Sequence, residues 1–119
     1  MEIKEHLINN IKIAEVTAND IIIRNADDGL DLLGNLYYSG FDRIVIYEQN
    51  ITPDFFDLKN GLAGEILQKF SNYRVKLVIV GNFTDYTTKS IKDFIRESNN
   101  GNHINFLPNT ADALQKLSN

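Results

Sequence analysis

The chain contains no cysteine. That removes disulfides, thiolate nucleophiles, iron–sulfur clusters and cysteine zinc sites in one step, and it favours a cytoplasmic setting over a stapled secreted domain. Histidine is nearly as scarce. His6 and His103 are the two in the chain, far apart, each in or beside an expected strand and without a nucleophile partner, so both read as structural or surface residues. No GxSxG, Walker-type GK[ST], GxGxxG, HExxH or DxD run is present, which leaves no marked catalytic or cofactor motif. Basic charge is short as well. A net charge of −4 and a pI near 5.0 argue against a dedicated nucleic-acid binder, which needs a basic face. No run approaches the ~20 apolar residues of a membrane span, and MEIKEHLINN has no apolar core of a signal peptide. No nucleic-acid, membrane, metal or cofactor partner is expected.

What is there is globular. Hydrophobic residues make up 43% and charged residues 24% of 119 residues, enough for one domain over 1–119 that buries roughly two-thirds of its unfolded surface. Ile3, Leu7 and Ile8 precede Asn9-Asn10, and Ile11, Ile13 and Val16 follow it. That spacing predicts a hairpin, because adjacent asparagines tolerate the left-handed backbone of a tight turn. Ile21–Ile23 reads as a short strand. Asn25 then caps a helix with Asp27 and Asp28 in its first turn; Ala26, Leu30, Leu33, Leu36 and Tyr37 follow at helical spacing, and Gly40 ends it.

The run FDRIVIY over 41–47 predicts a strand buried on both faces, and RVKLVIVG over 74–81 a second. Between them Asp57 or Asn60 is expected to cap a helix with Leu62, Ile66, Leu67 and Phe70 as its apolar stripe. Ser90 and Asp93 suggest a capping box for a third helix bearing Ile91, Phe94 and Ile95. Ile104–Leu107 is a last strand, and Thr110 caps a C-terminal helix. Alternating strands and helices imply an α/β domain: a mostly parallel sheet, a leading antiparallel hairpin and about four helices.

KNGLAGEILQKF followed by RVKLVIVG resembles the STAS-type domains, the anti-sigma-factor antagonists and their relatives in transporters. Those domains carry Asp-Ser-Ser/Thr-Gly-Leu-Gly at the start of a helix, which Gly61-Leu62 matches in its Gly-Leu part. The resemblance implies a STAS-like fold with an interaction surface at that helix start. The antagonists are switched by phosphorylation of the hydroxyl residue before Gly-Leu. Asn60 stands at the matching position and has no hydroxyl to phosphorylate, so the switch is not expected here. Over residues 20–117 the chain also resembles a bacterial family, domain of unknown function 4180, through FDRIVIY, DFFDLKNGLAGEILQKFSNYRVKLVIVG and FTDYTTKSIKDFIRESNNG.

The candidate site lies where loops leave the carboxyl ends of the parallel strands. Asp54 and Asp57, with Glu48 and Glu65, read either as an acid/base or metal cluster or as a loop aspartate, a cap and solvated residues. Lys59 and Asn60 lead into the helix, and Gly61-Leu62-Ala63-Gly64 at its start admit a phosphate or simply close packing on the sheet or on another protein. Phe55 and Phe56 should point apart in an extended segment, so that at most one is easily buried: either one plugs the core and the other covers the helix end, or one is exposed as an interface anchor. Tyr86 and Thr87, in a loop with Lys89, Lys92 and Arg96, read as an anion site or as ordinary capping. These residues suggest a non-enzymatic protein-interaction or regulatory module of unknown partner, with a homodimer through the same helix as a variant. The alternative is a small ligand- or metal-binding sensor or enzyme using the 48–65 and 82–90 loops.

Overall fold

Asn9 and Asn10 both adopt left-handed backbone, with φ of 55° and 65°, the geometry a two-residue hairpin turn requires. The computed structural model, which describes residues 1–119, places that turn between β1 (Glu2–Ile8) and β2 (Ile11–Thr17). Their antiparallel register is unbroken from Glu2↔Thr17 to Ile8↔Ile11. There follow α1 (Ala26–Tyr38), β3 (Arg43–Tyr47), α2 (Leu62–Asn72), β4 (Lys76–Val80), α3 (Lys89–Asn100), β5 (Ile104–Leu107) and α4 (Thr110–Leu117), with three short 3₁₀ turns over 48–60. No helix is long and apolar enough to cross a membrane.

The sheet runs β1-β2-β3-β4-β5, parallel from β2 onward. Each crossover therefore steps the same way, and right-handed connections put α1, α2 and α3 on one face. Leu33, Leu36, Ile66, Phe70 and Ile91 meet Ala14, Ile44, Leu77 and Ile79 there in the main core. On the other face Ala113 and Leu117 of α4 cover Ile13, Val45 and Val78. This explains why β3 and β4 read as unbroken apolar runs. Because the winding never reverses, the sheet has no switch-point crevice, and the argument for a cleft at its carboxyl edge loses that support.

Several local expectations change. Ile21–Ile23 does not form a strand. Ile23 makes one parallel bridge to Ile51, because the segment is pinned across the end of the sheet rather than paired along it. Asn50 does the pinning: its carbonyl accepts from Ile22 and Ile23, and its buried amide donates to Ala18 and Asp20 carbonyls at 2.9 Å. The 41–47 strand starts at Arg43, since Phe41 N–H returns to the Leu36 carbonyl at the end of α1. Asn25 caps α1 as expected, but Asn109, not Thr110, caps α4, accepting from Asp112 N–H at 2.8 Å. The Ser90–Asp93 box is absent. Helix α3 begins after Thr88 with no side-chain cap, and Asp93 instead binds Lys89 at 2.6 Å and Arg96 at 2.9 Å.

Candidate functional site

β3 and β4 deliver Glu48 and Gly81 side by side at the carboxyl edge of the sheet. A Cβ on Gly81 would fall 2.6 Å from the Glu48 Cβ, so only glycine lets Glu48 lean across toward the next loop. There its carboxylate accepts from the Tyr86 hydroxyl. Burial, and then the Glu48 carboxylate, raise the Tyr86 phenol well above the usual tyrosine value.

Phe55 and Phe56 overturn the expectation of a free aromatic anchor: they are 2% and 8% exposed. The reason is local. In an extended segment neighbours point apart, but Pro53–Phe56 winds into a 3₁₀ turn, capped by Thr52, and both rings fold inward. They meet edge-to-face at 5.0 Å. Phe56 stacks on Tyr86 at 4.7 Å and approaches Phe83 at 6.1 Å. The 48–61 and 82–90 loops are thus joined by one hydrogen bond and a shared aromatic layer, as their common sheet edge suggested.

Asn60 has its side chain engaged at both ends. Its amide donates to the Asp54 carbonyl at 2.8 Å, and its Oδ1 accepts from Leu62 N–H at 2.9 Å. Gly61 has φ +76°, which turns the chain from the last 3₁₀ turn into α2; Gly61, rather than Asp57 or Asn60, occupies the N-cap of α2. Asp57 caps the short Leu58–Asn60 turn instead, accepting from Lys59 N–H at 3.4 Å. Leu62 is half-buried against the core. Ala63 is buried, but Gly64 faces open space, so tight packing within the chain does not account for it.

Asp54, Asp57, Lys59, Asn60, Gly61 and Thr87 therefore form an exposed polar rim over the buried aromatic layer. Asp54 and Asp57 serve separate turns rather than one acid/base pair, and no group of three His, Cys, Asp or Glu is placed to hold a metal ion. Lys89 and Arg96 are paired with Asp93, so they do not converge as an anion cradle.

Two features escaped the sequence. Beside the rim lies an open hollow of about 530 Å³, lined by Phe83, Thr84, Ile95, Phe106 and Pro108. Its residues come from three elements, and no local spacing announces it. On the α4 face, His6 bonds Glu15 at 2.8 Å, and the Tyr47 hydroxyl lies 2.6 Å from both Glu15 and Thr110. Burial pushes the Glu15 carboxyl up, but the bonds from Tyr47 and His6 outweigh it and hold it below the usual range. The hairpin register was the available signal, because it puts His6 and Glu15 on one face.

The fold and site define a singly wound α/β domain with exposed polar loops over an aromatic layer at the carboxyl end of its central strands. The chain belongs to the family described as Domain of unknown function (DUF4180), whose model matches residues 8–117. Among curated proteins and among solved structures, nothing matches it.

Proposed function

We propose that this chain is a non-enzymatic protein-interaction or regulatory module that binds its partner on the platform formed by the 48–62 and 82–87 loops. The observation that carries this reading is the join between the loops. Phe56 stacks on Tyr86, and Tyr86 bonds Glu48, so the rim is held in one arrangement before a partner arrives, which lowers the ordering cost of binding. An apolar hollow flanked by polar groups also has the anatomy of an interface, with a site for one anchoring side chain and a wet rim. The likeness to STAS-type domains supports the same location. With Asn60 bracing the loop, binding there is constitutive rather than switched by phosphorylation, and a bacterial cytoplasm is its setting.

The test is a pull-down from native lysate with wild type, Lys59→Glu and Thr84→Arg, and Tyr38→Ser as a control at the far end of α1. A partner kept by wild type and Tyr38→Ser but lost from either platform variant supports the proposal. Retention of every partner by both platform variants overturns it. The hollow favours one second reading, a sensor for a small apolar ligand. Native mass spectrometry showing a bound metabolite that Thr84→Arg releases would select it.

A further inference from the structure

The two free edges of the sheet differ in a way that points to a second copy of this chain. At β5, the bonds from Leu77 N–H to His103 and from Gly81 N–H to Leu107 turn Ile104 and Phe106 outward. Those outward groups are closed from α3. Ser98 Oγ donates to the Ile104 carbonyl at 2.6 Å, Asn99 Nδ2 donates to the Phe106 carbonyl at 3.0 Å, and Asn99 Oδ1 accepts from Phe106 N–H at 2.7 Å. A side-chain amide thus imitates the next strand, and β5 has little left to offer another chain.

β1 is the opposite. The two-residue turn makes Ile8 and Ile11 a hydrogen-bonded pair, so alternation commits residues 2, 4, 6 and 8 to β2. The backbone groups of Ile3, Glu5 and Leu7 face outward. β1 has neither proline nor a bulge in its seven residues, and charge is the one blunting device it carries, in Glu2, Lys4 and Glu5. Ile3 is 45% and Leu7 65% exposed, and both lie on the α1 face, opposite Val16 and Lys12 of β2.

We propose that β1 pairs antiparallel with β1 of a second copy about a two-fold axis at Glu5, joining the two sheets into one. Antiparallel self-pairing of a strand allows few registers, and the side chains select among them. With Glu5 on the axis, Ile3 faces Leu7 of the other copy and Leu7 faces its Ile3, two apolar pairs on one face. Every outward N–H and C=O of Ile3, Glu5 and Leu7 then finds a partner. The two Glu5 carboxylates meet at the axis, each with Lys12 of its own copy 3.7 Å away. Sliding the pairing so that Lys4 sits on the axis sets lysine against lysine and Ile3 against glutamate. Sliding it to His6 sets Leu7 against glutamate. The Glu5 register alone sets Ile3 against Leu7 on both sides of the axis; it also places Glu2 opposite Ile8 and Glu5 opposite Glu5, and Lys12 of each copy offsets that like charge. This surface is separate from the loop platform, at the far edge of the sheet.

The absence of native cysteine makes the test direct. Wild type should sediment as a concentration-dependent monomer–dimer mixture, and Ile3→Lys/Leu7→Lys should weaken the dimer about tenfold or more by setting lysines opposite one another. Both positions are exposed, so circular dichroism should not change, and the melting curves should coincide at concentrations where wild type is monomeric. Glu5→Cys should form a disulfide-linked dimer under mild oxidation, since paired Cα atoms lie about 5.5 Å apart. Glu2→Cys should not, because its own mate is displaced by roughly 20 Å along the strands. A wild-type chain that stays monomeric to about 1 mM, the weak limit of a specific contact, overturns the proposal. So does a dimer unaffected by the double lysine variant, or one cross-linked as readily through Glu2→Cys as through Glu5→Cys.

Discussion

At the β5 end of the molecule, Phe56, Phe83, Tyr86, Phe94 and Phe106 form a continuous aromatic layer, and Ser98 and Asn99 close the strand's outer backbone. At the β1 end, a hairpin stands half in solvent, tied to the rest through the β2–β3 ladder and a chain of polar side chains from His6 to Thr110. The contrast separates two ways of fixing a strand. Ring packing, with the Tyr86–Glu48 hydrogen bond beside it, holds the first end, and the packing is costly to disturb. At the second, β2 is buried through Ile13, Ala14 and Val16, and β1 is tied on by hydrogen bonds to charged groups, which depend on protonation. The rigid end suits a preorganised binding platform; the open end suits pairing.

The comparison is broken most severely by Phe56→Ala. Removing a buried ring that meets four others should cost about 3–5 kcal/mol, read from the urea midpoint, and should release the 48–61 loop from Tyr86. A cost below about 1 kcal/mol would mean that the aromatic layer does not hold the platform. Next is Asn99→Ala, which leaves the Phe106 N–H and carbonyl without their partner. A loss of about 1–3 kcal/mol is expected. The variant should also self-associate through β5, and light scattering that stays at the wild-type value would argue against the seal.

Tyr86→Phe should cost about 0.5–1.5 kcal/mol at neutral pH by removing the bond to Glu48. Its pH dependence sharpens the assignment. Burial and Glu48 raise the folded-state phenol above its ordinary value of 10.0, so its contribution is complete below pH 10 and declines as pH rises from there toward the folded-state value. Tyr47 is shifted the same way, by burial and then by Glu15. Wild type should therefore lose stability above pH 10 more steeply than Tyr86→Phe, and equal slopes would remove the hydrogen bond as the cause.

The smallest effect belongs to the hairpin end. Glu15 is held below its ordinary 4.5 in the fold, so its stabilisation is present above that pH and fades as pH falls through the folded value. Glu15→Gln should cost up to about 1 kcal/mol at pH 7 and flatten the stability profile below pH 4.5. An unchanged acid limb would show that the His6–Glu15–Tyr47 chain does not tie the hairpin down.

Much of this was legible in the residues because it depends on neighbours in sequence. Asn9-Asn10 specified the turn, the β-branched runs specified β3 and β4, and Asn25 specified a cap. The misreadings share a cause. Ile21–Ile23 has strand-like composition, but Asn50, far along the chain, supplies its hydrogen bonds. In an extended backbone Phe55 and Phe56 would point apart, but the 3₁₀ turn brings both inward. Asn60 was legible as a residue at the helix start, but its role as a brace between Asp54 and Leu62 was not.

By itself, then, the sequence determined an α/β domain with a leading hairpin and located its exposed polar loops, because periodicity and turn chemistry act over a few residues. Only the tertiary structure decided that the loops are locked by Tyr86 and Glu48, that the hollow at Phe83 exists, and that one sheet edge is closed while the other is open. Those features arise where side chains distant in sequence compete for the same space and the same backbone groups, and no local pattern records the outcome.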